Sequence, residues 1–218
     1  MAEGSGMRAV GCARIAVGAV IVVAVLATHV EALSRGPVNP FNMYGYFTVQ
    51  SNLIASASWL IAGALAFRGR PRGVGLSLLG AVATTCLVIV GLVYAVLLAP
   101  LGAPGGVPLP WANLVLHVVS PVAAVVDWVL IGDRVRLSLS SLWVILLYPI
   151  VWTVTVLIRG ATDGWVPYPF LDPAQGYGVV AGYSAAIAAL FAVVGAAVLW
   201  VSRRRAVEEP SRVTRRLP

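Results

Sequence analysis

The stretch Gly45–Arg72, GYFTVQSNLIASASWLIAGALAFRGRPR, decides the fold. From Leu53 to Phe67 it is apolar apart from two serines, and it ends on Arg68, Arg70 and Arg72. A helix over Tyr46–Phe67 is long enough to cross a hydrocarbon layer of ~30 Å at ~1.5 Å per residue. Arginines crowded at one end mark the face that stays in the cytoplasm. The start of the run is unusual. Thr48, Gln50, Ser51 and Asn52 place four hydrogen-bonding side chains where lipid offers no partner. Such groups cost free energy in hydrocarbon unless they are satisfied, so the cluster needs a packing reason or a chemical one.

Composition generalises this reading. The 218 residues are 60% hydrophobic and 11% charged, against about 25% charged in soluble domains. Apolar runs separated by arginines predict an all-α, polytopic membrane protein with six transmembrane helices: Ala9–Leu33, Tyr46–Phe67, Val74–Ala99, Trp111–Ile131, Leu137–Ile158 and Tyr177–Val201. Residues 1–202 form this domain, and 203–218 read as a basic polar tail without structure of its own. All but Arg35 and Arg159 of the 15 arginines then fall on one side, so both termini are predicted to be cytoplasmic. Arginine without lysine, beside abundant Ala, Val and Gly, is GC-rich coding and points to a bacterial inner membrane.

The same distribution removes other classes. The net charge of +7 reflects membrane topology rather than a nucleic-acid surface. Cys12 and Cys86 fall at different depths, which argues against a disulfide. A lipoprotein site at Cys12 is rejected because the apolar run follows the cysteine. The alternative of a cleaved first span, with Val25–Ala27 as the site, leaves the other spans unchanged. Two histidines and few acids give no metal-ligand spacing, and no cofactor is expected. The Pro- and aromatic-rich outward loops read as turns at the membrane surface. GVVAG at Gly178–Gly182 reads as a helix-packing motif.

Thr48 and His117 carry the functional reading. Each lies about 9 Å below the outward end of its helix, a shared depth that a nucleophile and its base require. Asn52 follows Thr48 by one turn and Asn113 precedes His117 by one turn, so each shares a face with its partner. Both asparagines are candidates for orienting the site or donating to an oxyanion. Pro121 lacks the N–H that would bond the His117 carbonyl, which predicts a bend there with that carbonyl free. His29 is a rival base or an interfacial residue. Asp127 reads as a partner for an arginine at the inner surface. Arg159 either pairs with Asp163 or receives a carboxylate or phosphate head group. Asp163 is also the only guess for a residue that orients His117.

Three segments carry a resemblance: YFTVQSNL in the second span, NLVLHVVSPVAAVVDW in the fourth, and RGATDGWVPYPFLDPAQGYG before the sixth. Together they resemble the bacterial branch of the androgen-induced and androgen-dependent TFPI-regulating protein family, six-span proteins whose eukaryotic members are threonine hydrolases of fatty acid esters of hydroxy fatty acids. The resemblance implies Thr48 as nucleophile, His117 as its essential histidine, and an amphiphilic lipid ester as substrate, with membrane lipids as neighbours. Two other classes remain open on the residues alone. One is a small-molecule or ion transporter using His117 and Asp127, and the other is a non-catalytic scaffold.

The topology is testable in a background with both native cysteines replaced. Cysteine placed at Gly105 should react with an impermeant thiol reagent from outside intact cells, and cysteine at Ser211 should react only after lysis. The opposite pattern would invert the bundle.

Overall fold

The structure is a computed structural model that describes residues 2–102 and 107–204. The tail predicted to lack structure lies outside the described residues from residue 205 on. Six helices are long and apolar enough to span a membrane: Gly6–Arg35, Phe47–Phe67, Val74–Leu101, Pro110–Leu130, Leu139–Thr162 and Tyr177–Ser202. They match the six predicted spans to within a few residues, and no strand occurs among the described residues. The chain is an all-α bundle with the architecture of a multi-pass membrane protein.

The first two spans pack backbone to backbone. A Cβ at Gly63 would lie 2.8 Å from the Ile15 side chain and 2.9 Å from the Gly11 carbonyl, and one at Gly18 would lie 3.1 Å from Leu60. Two turns apart on each helix, Gly11 and Gly18 face Gly63 and Ser56, and the Ser56 hydroxyl donates to the Gly18 carbonyl at 2.8 Å. Small residues permit this approach, which is how membrane helices associate without a hydrophobic driving force. Gly178 and Gly182, predicted to pack, have open space where a Cβ would stand. The face of the sixth span that carries these glycines points away from the bundle while Val180 between them is buried, and this helix makes its close approach at Gly195, where a Cβ would lie 2.9 Å from the Leu142 side chain.

At the arginine-rich end the fold closes over buried charge. Arg14 of the first span bonds Asp127 Oδ1 at 2.8 Å and Asp133 Oδ2 at 2.6 Å. Arg72, between the second and third spans, bonds Asp127 Oδ2 at 2.8 Å and Asp133 Oδ1 at 3.2 Å. The Trp59 indole N–H adds a bond to Asp127 at 3.3 Å. Two cations and two anions thus neutralise one another while tying together spans one, two and four and the loops after spans two and four. Beside them, buried Arg134 donates to the carbonyls of Ile131 and Val201 and stacks on Trp128, whose indole N–H donates to the Val198 carbonyl. These contacts attach the sixth span. Burial and the neighbouring charge of Arg72 lower the Arg134 pKa to about 10, so it remains a cation at neutral pH.

At the opposite end one outward loop departs from its expected position. In the WVPYPFL segment, Phe170 and Leu171 are buried and Tyr168 reaches down between spans two and five. Its aromatic and apolar side chains fill space inside the bundle rather than lying on the membrane surface.

Burial pushes the Asp133 carboxyl upward, but the Arg14 hydrogen bond and the charges of Arg72 and Arg14 outweigh it and hold the pKa below its ordinary value of 3.8. A depressed carboxylate contributes stability that is complete above the unfolded value and is lost as pH falls through the folded one. Acidification below about pH 4 should therefore loosen the bundle. Asp133→Asn at neutral pH leaves two buried guanidinium groups sharing the single carboxylate of Asp127 and should cost roughly 3–5 kcal/mol, read as a fall in unfolding midpoint in detergent. The variant should also lose part of the acid sensitivity.

Candidate active site

Thr48 sits in the first turn of the second span, 7% exposed, and His117 is buried in the fourth. Thr48 Oγ1 lies 3.4 Å from His117 Nε2, the long end of a hydrogen bond and a common separation in a ligand-free site. The tautomer follows from the other ring nitrogen. His117 Nδ1 is 3.1 Å from the Asn113 carbonyl, which can only accept. Nδ1 therefore carries the proton, and Nε2 presents a lone pair to the Thr48 hydroxyl. The third group that orients the histidine is this backbone carbonyl. Asp163, the guess from sequence, is occupied elsewhere.

The local helix geometry explains how His117 is held. Val115–Val119 forms a π-helical turn, and Tyr94–Leu98 forms another on the third span. Such turns concentrate at functional sites. Here they carry the two rings that stack at 4.2 Å between centroids, Tyr94 and His117. The π register also corrects the expectation about Pro121. With bonds running from i to i+5, the missing N–H of Pro121 falls opposite Leu116 rather than His117. The Leu116 carbonyl instead accepts from Asn52 Nδ2 at 3.0 Å and lies 3.2 Å from Ser120 Oγ.

Asn52 is fully used. Its Nδ2 donates to the carbonyls of Thr48 (2.9 Å) and Leu116 (3.0 Å), and its Oδ1 accepts from Ser120 Oγ (2.6 Å). It joins the Thr48 turn to the His117 turn. Asn113 is likewise engaged, with Oδ1 accepting from Val107 N–H and Nδ2 donating to Tyr94 Oη at 2.6 Å. Both N–H groups of Asn52 are spent on carbonyls, which leaves it the orienting role and no donor for an oxyanion, whereas Asn113 spends one of its two on Tyr94. Gln50 is also structural, bridging the Tyr44 carbonyl and the Tyr148 hydroxyl.

The donor that sequence reasoning missed is Tyr168. Its hydroxyl accepts from the Thr48 N–H at 3.3 Å and lies 3.4 Å from Thr48 Oγ1. Burial pushes its pKa up to about 12, against the lowering effect of its bonds to Thr48, so the phenol keeps its proton. If the Thr48 proton points at His117, the Tyr168 proton points at Thr48 Oγ1. The signal in the sequence was a loop dense in aromatics and prolines, which a surface turn does not need.

Thr48 and Tyr168 line a cavity of about 410 Å³ whose wall also includes Phe47, Ile89, Leu146, Pro149, Phe170 and Phe191. The cavity reaches the outside of the bundle between spans five and six, beside exposed Ile150 and Val154. No protein-family model, curated protein or solved structure matches this chain. The chemistry is therefore argued from the site itself.

The other candidates are held elsewhere. Arg159 donates through Nε and Nη2 to Asp163 at 2.9 and 2.7 Å, to Asn42 Oδ1 at 2.6 Å and to the Phe41 carbonyl at 3.3 Å, and it stacks on Trp165. It clamps the outward loops, and the pairing reading displaces the head-group one. His29 packs against Tyr44 rather than Thr48. Asp127 is in the ion cluster at the other end. Among the described residues, no group of His, Cys, Asp and Glu could hold a metal ion.

Asn52→Leu preserves size and removes the bridge, leaving the Leu116 carbonyl reliant on Ser120 alone. Leaving a buried polar group short of its partner costs roughly 1–3 kcal/mol. The unfolding midpoint in detergent should fall accordingly, whereas Gln50→Leu, at a half-buried position, should cost less.

Proposed function

We propose that the protein is an intramembrane hydrolase of lipid-like esters, with Thr48 as nucleophile and His117 as general base. One observation carries this reading. The Thr48 hydroxyl is shared between an unprotonated imidazole nitrogen and a protonated phenol, in the wall of an apolar cavity that reaches the outside of the bundle. A structural threonine in a membrane helix has its hydroxyl satisfied by the preceding carbonyl, as at Thr28, Thr85 and Thr155. Thr48 turns its hydroxyl to the two titratable groups instead.

The substrate enters from the bilayer between spans five and six, with its acyl chain in the cavity. Thr48 Oγ1 attacks the ester carbonyl carbon while its proton passes to His117 Nε2. The negative charge that develops on the carbonyl oxygen is met by the Tyr168 O–H. Collapse of the tetrahedral intermediate breaks the ester C–O bond, and the departing alkoxide takes the proton from His117. Water, deprotonated by the same Nε2, then attacks the acyl-threonine to release the acid and restore the hydroxyl. The resemblance noted in the sequence agrees in assigning Thr48 and His117 and suggests fatty acid esters of hydroxy fatty acids as the class. The transporter reading loses support because Asp127 is locked between Arg14 and Arg72.

Three variants test the unit against a chromogenic acyl ester and a fluorophosphonate label. Thr48→Ala should abolish hydrolysis and labelling. His117→Ala should lower both about 10²–10⁴-fold, and the double variant should be little worse than Thr48→Ala because members of one unit are not additive. Tyr168→Phe should reduce kcat about 10²–10³-fold with little change in KM, the pattern of a donor felt chiefly in the transition state. Full activity in Thr48→Ala, or a label mapped to another residue, would refute the assignment.

A further inference from the structure

At the arginine-rich end lies a second cavity, of about 690 Å³, far from Thr48 and independent of the hydrolase reading. It is walled by Met7, Arg8, Phe67, Arg68, Arg70 and Asp133 among others. We propose that this cleft binds the phosphate head group of an anionic phospholipid, with Arg8, Arg68 and Arg70 as its ligands and with the lipid's chains along Met7 and Phe67.

The charge balance supports the proposal. Asp133, in the cleft's wall, is already neutralised by Arg14 and Arg72. The other carboxylates whose side chains are described are also engaged. Glu31 pairs with Arg35, Asp163 pairs with Arg159, and Asp172 accepts from the Ala174 N–H. The side chains of Arg8, Arg68 and Arg70 make no hydrogen bond or ion pair among the described residues. Three guanidinium groups without a partner among the described residues therefore border one cleft, and a phosphate offers the acceptor geometry guanidinium forks prefer.

Topology alone would scatter arginines over this face. What distinguishes the cleft is that its arginines stand on a rigid frame. The second span ends in a Schellman turn, with Gly69 N–H bonded to the Ala66 carbonyl at 3.1 Å and Arg70 N–H to the Leu65 carbonyl at 3.0 Å. Gly69 takes the positive φ of 61° that this turn requires. Arg68 and Arg70 thus flank a fixed turn. Pro71 follows, and Arg72 anchors the far end, its N–H on the Asp133 carbonyl at 3.0 Å and its side chain in the ion cluster. Arg8 is presented from the first span one turn before Gly11, where that helix is packed hard against Gly63. A preorganised site loses little entropy on binding. The apolar Phe67 ring, 44% exposed beside the arginines, suits a lipid better than a free anion.

Native mass spectrometry of the full chain in detergent, titrated with phosphatidylglycerol or phosphatidylcholine, tests this. Wild type should retain one phosphatidylglycerol saturably and discriminate against phosphatidylcholine. Arg8→Gln/Arg68→Gln/Arg70→Gln should weaken retention about a hundredfold. Arg212→Gln/Arg215→Gln/Arg216→Gln, which removes the same charge from the tail, should weaken it less than about threefold. Arg68→Gln alone should lose about fivefold, and this single variant decides the outcome should the triple variant prove unstable in phosphatidylcholine. Equal losses in both triple variants would reduce the effect to a general field and overturn the site. So would an absence of preference for phosphatidylglycerol. Inorganic phosphate that displaces the lipid at comparable concentration would overturn the lipid assignment in favour of a soluble anion.

Discussion

Two arginines and two aspartates, buried together at one end of the bundle, form the constraint on which the arrangement of the spans depends. Arg14 and Arg72 each reach both Asp127 and Asp133. No one of the four could be buried without the others, since an uncompensated charge in low dielectric costs several kcal/mol. Their pairing sets the rotation of the first span, the path of the loop after the second and the end of the fourth in a single step. The close approach of Gly11 and Gly63 is compatible with that rotation. Spans five and six are attached more loosely, through Arg134, Trp128 and the aromatic rings around Phe47, and the apolar cavity opens between them.

The opposite end answers the question raised by the polar start of the second span. Thr48, Gln50, Ser51 and Asn52 are four polar residues with different duties. Asn52 joins two helix turns, Gln50 ties the segment to Tyr44 and Tyr148, Ser51 is fully buried, and Thr48 faces His117 and Tyr168. Most of the cluster is thus a device for placing one hydroxyl. The π turn before Pro121 belongs to the same device. It moves the unsatisfied carbonyl to Leu116, where Asn52 reaches it, and turns His117 toward Thr48.

The two ends also differ in how they treat charge. The arginine-rich end neutralises Arg14 and Arg72 internally and leaves the side chains of Arg8, Arg68 and Arg70 without a partner among the described residues. The end that holds Thr48 buries neutral groups whose protons are directed by geometry: Nδ1–H to a carbonyl, and a phenol that keeps its proton. Neutral groups suit a site walled by apolar side chains, where a standing charge would be costly.

Much of this was legible in the chain. Length and apolarity determine six spans, because the hydrocarbon thickness admits few alternatives. The matched depth of Thr48 and His117 follows from counting residues along two helices that enter from one side. Pairing of Asp127 with arginine was readable because a charge in a span must find its opposite. What the sequence could not determine was anything that depends on helix rotation, register or loop path. A 3.6-residue period does not foretell a π turn, so the free carbonyl was expected one residue late. Spare donors on Asn52 and Asn113 could be counted but not followed to their acceptors. Gly178 and Gly182 have the spacing of a packing motif, yet only the bundle decides which face meets a neighbour. Tyr168 lies 120 positions from Thr48, and no local pattern links a loop tyrosine to a threonine in another helix. That contact exists because an aromatic loop gains more by filling the bundle than by lying on it, a balance set by tertiary packing alone.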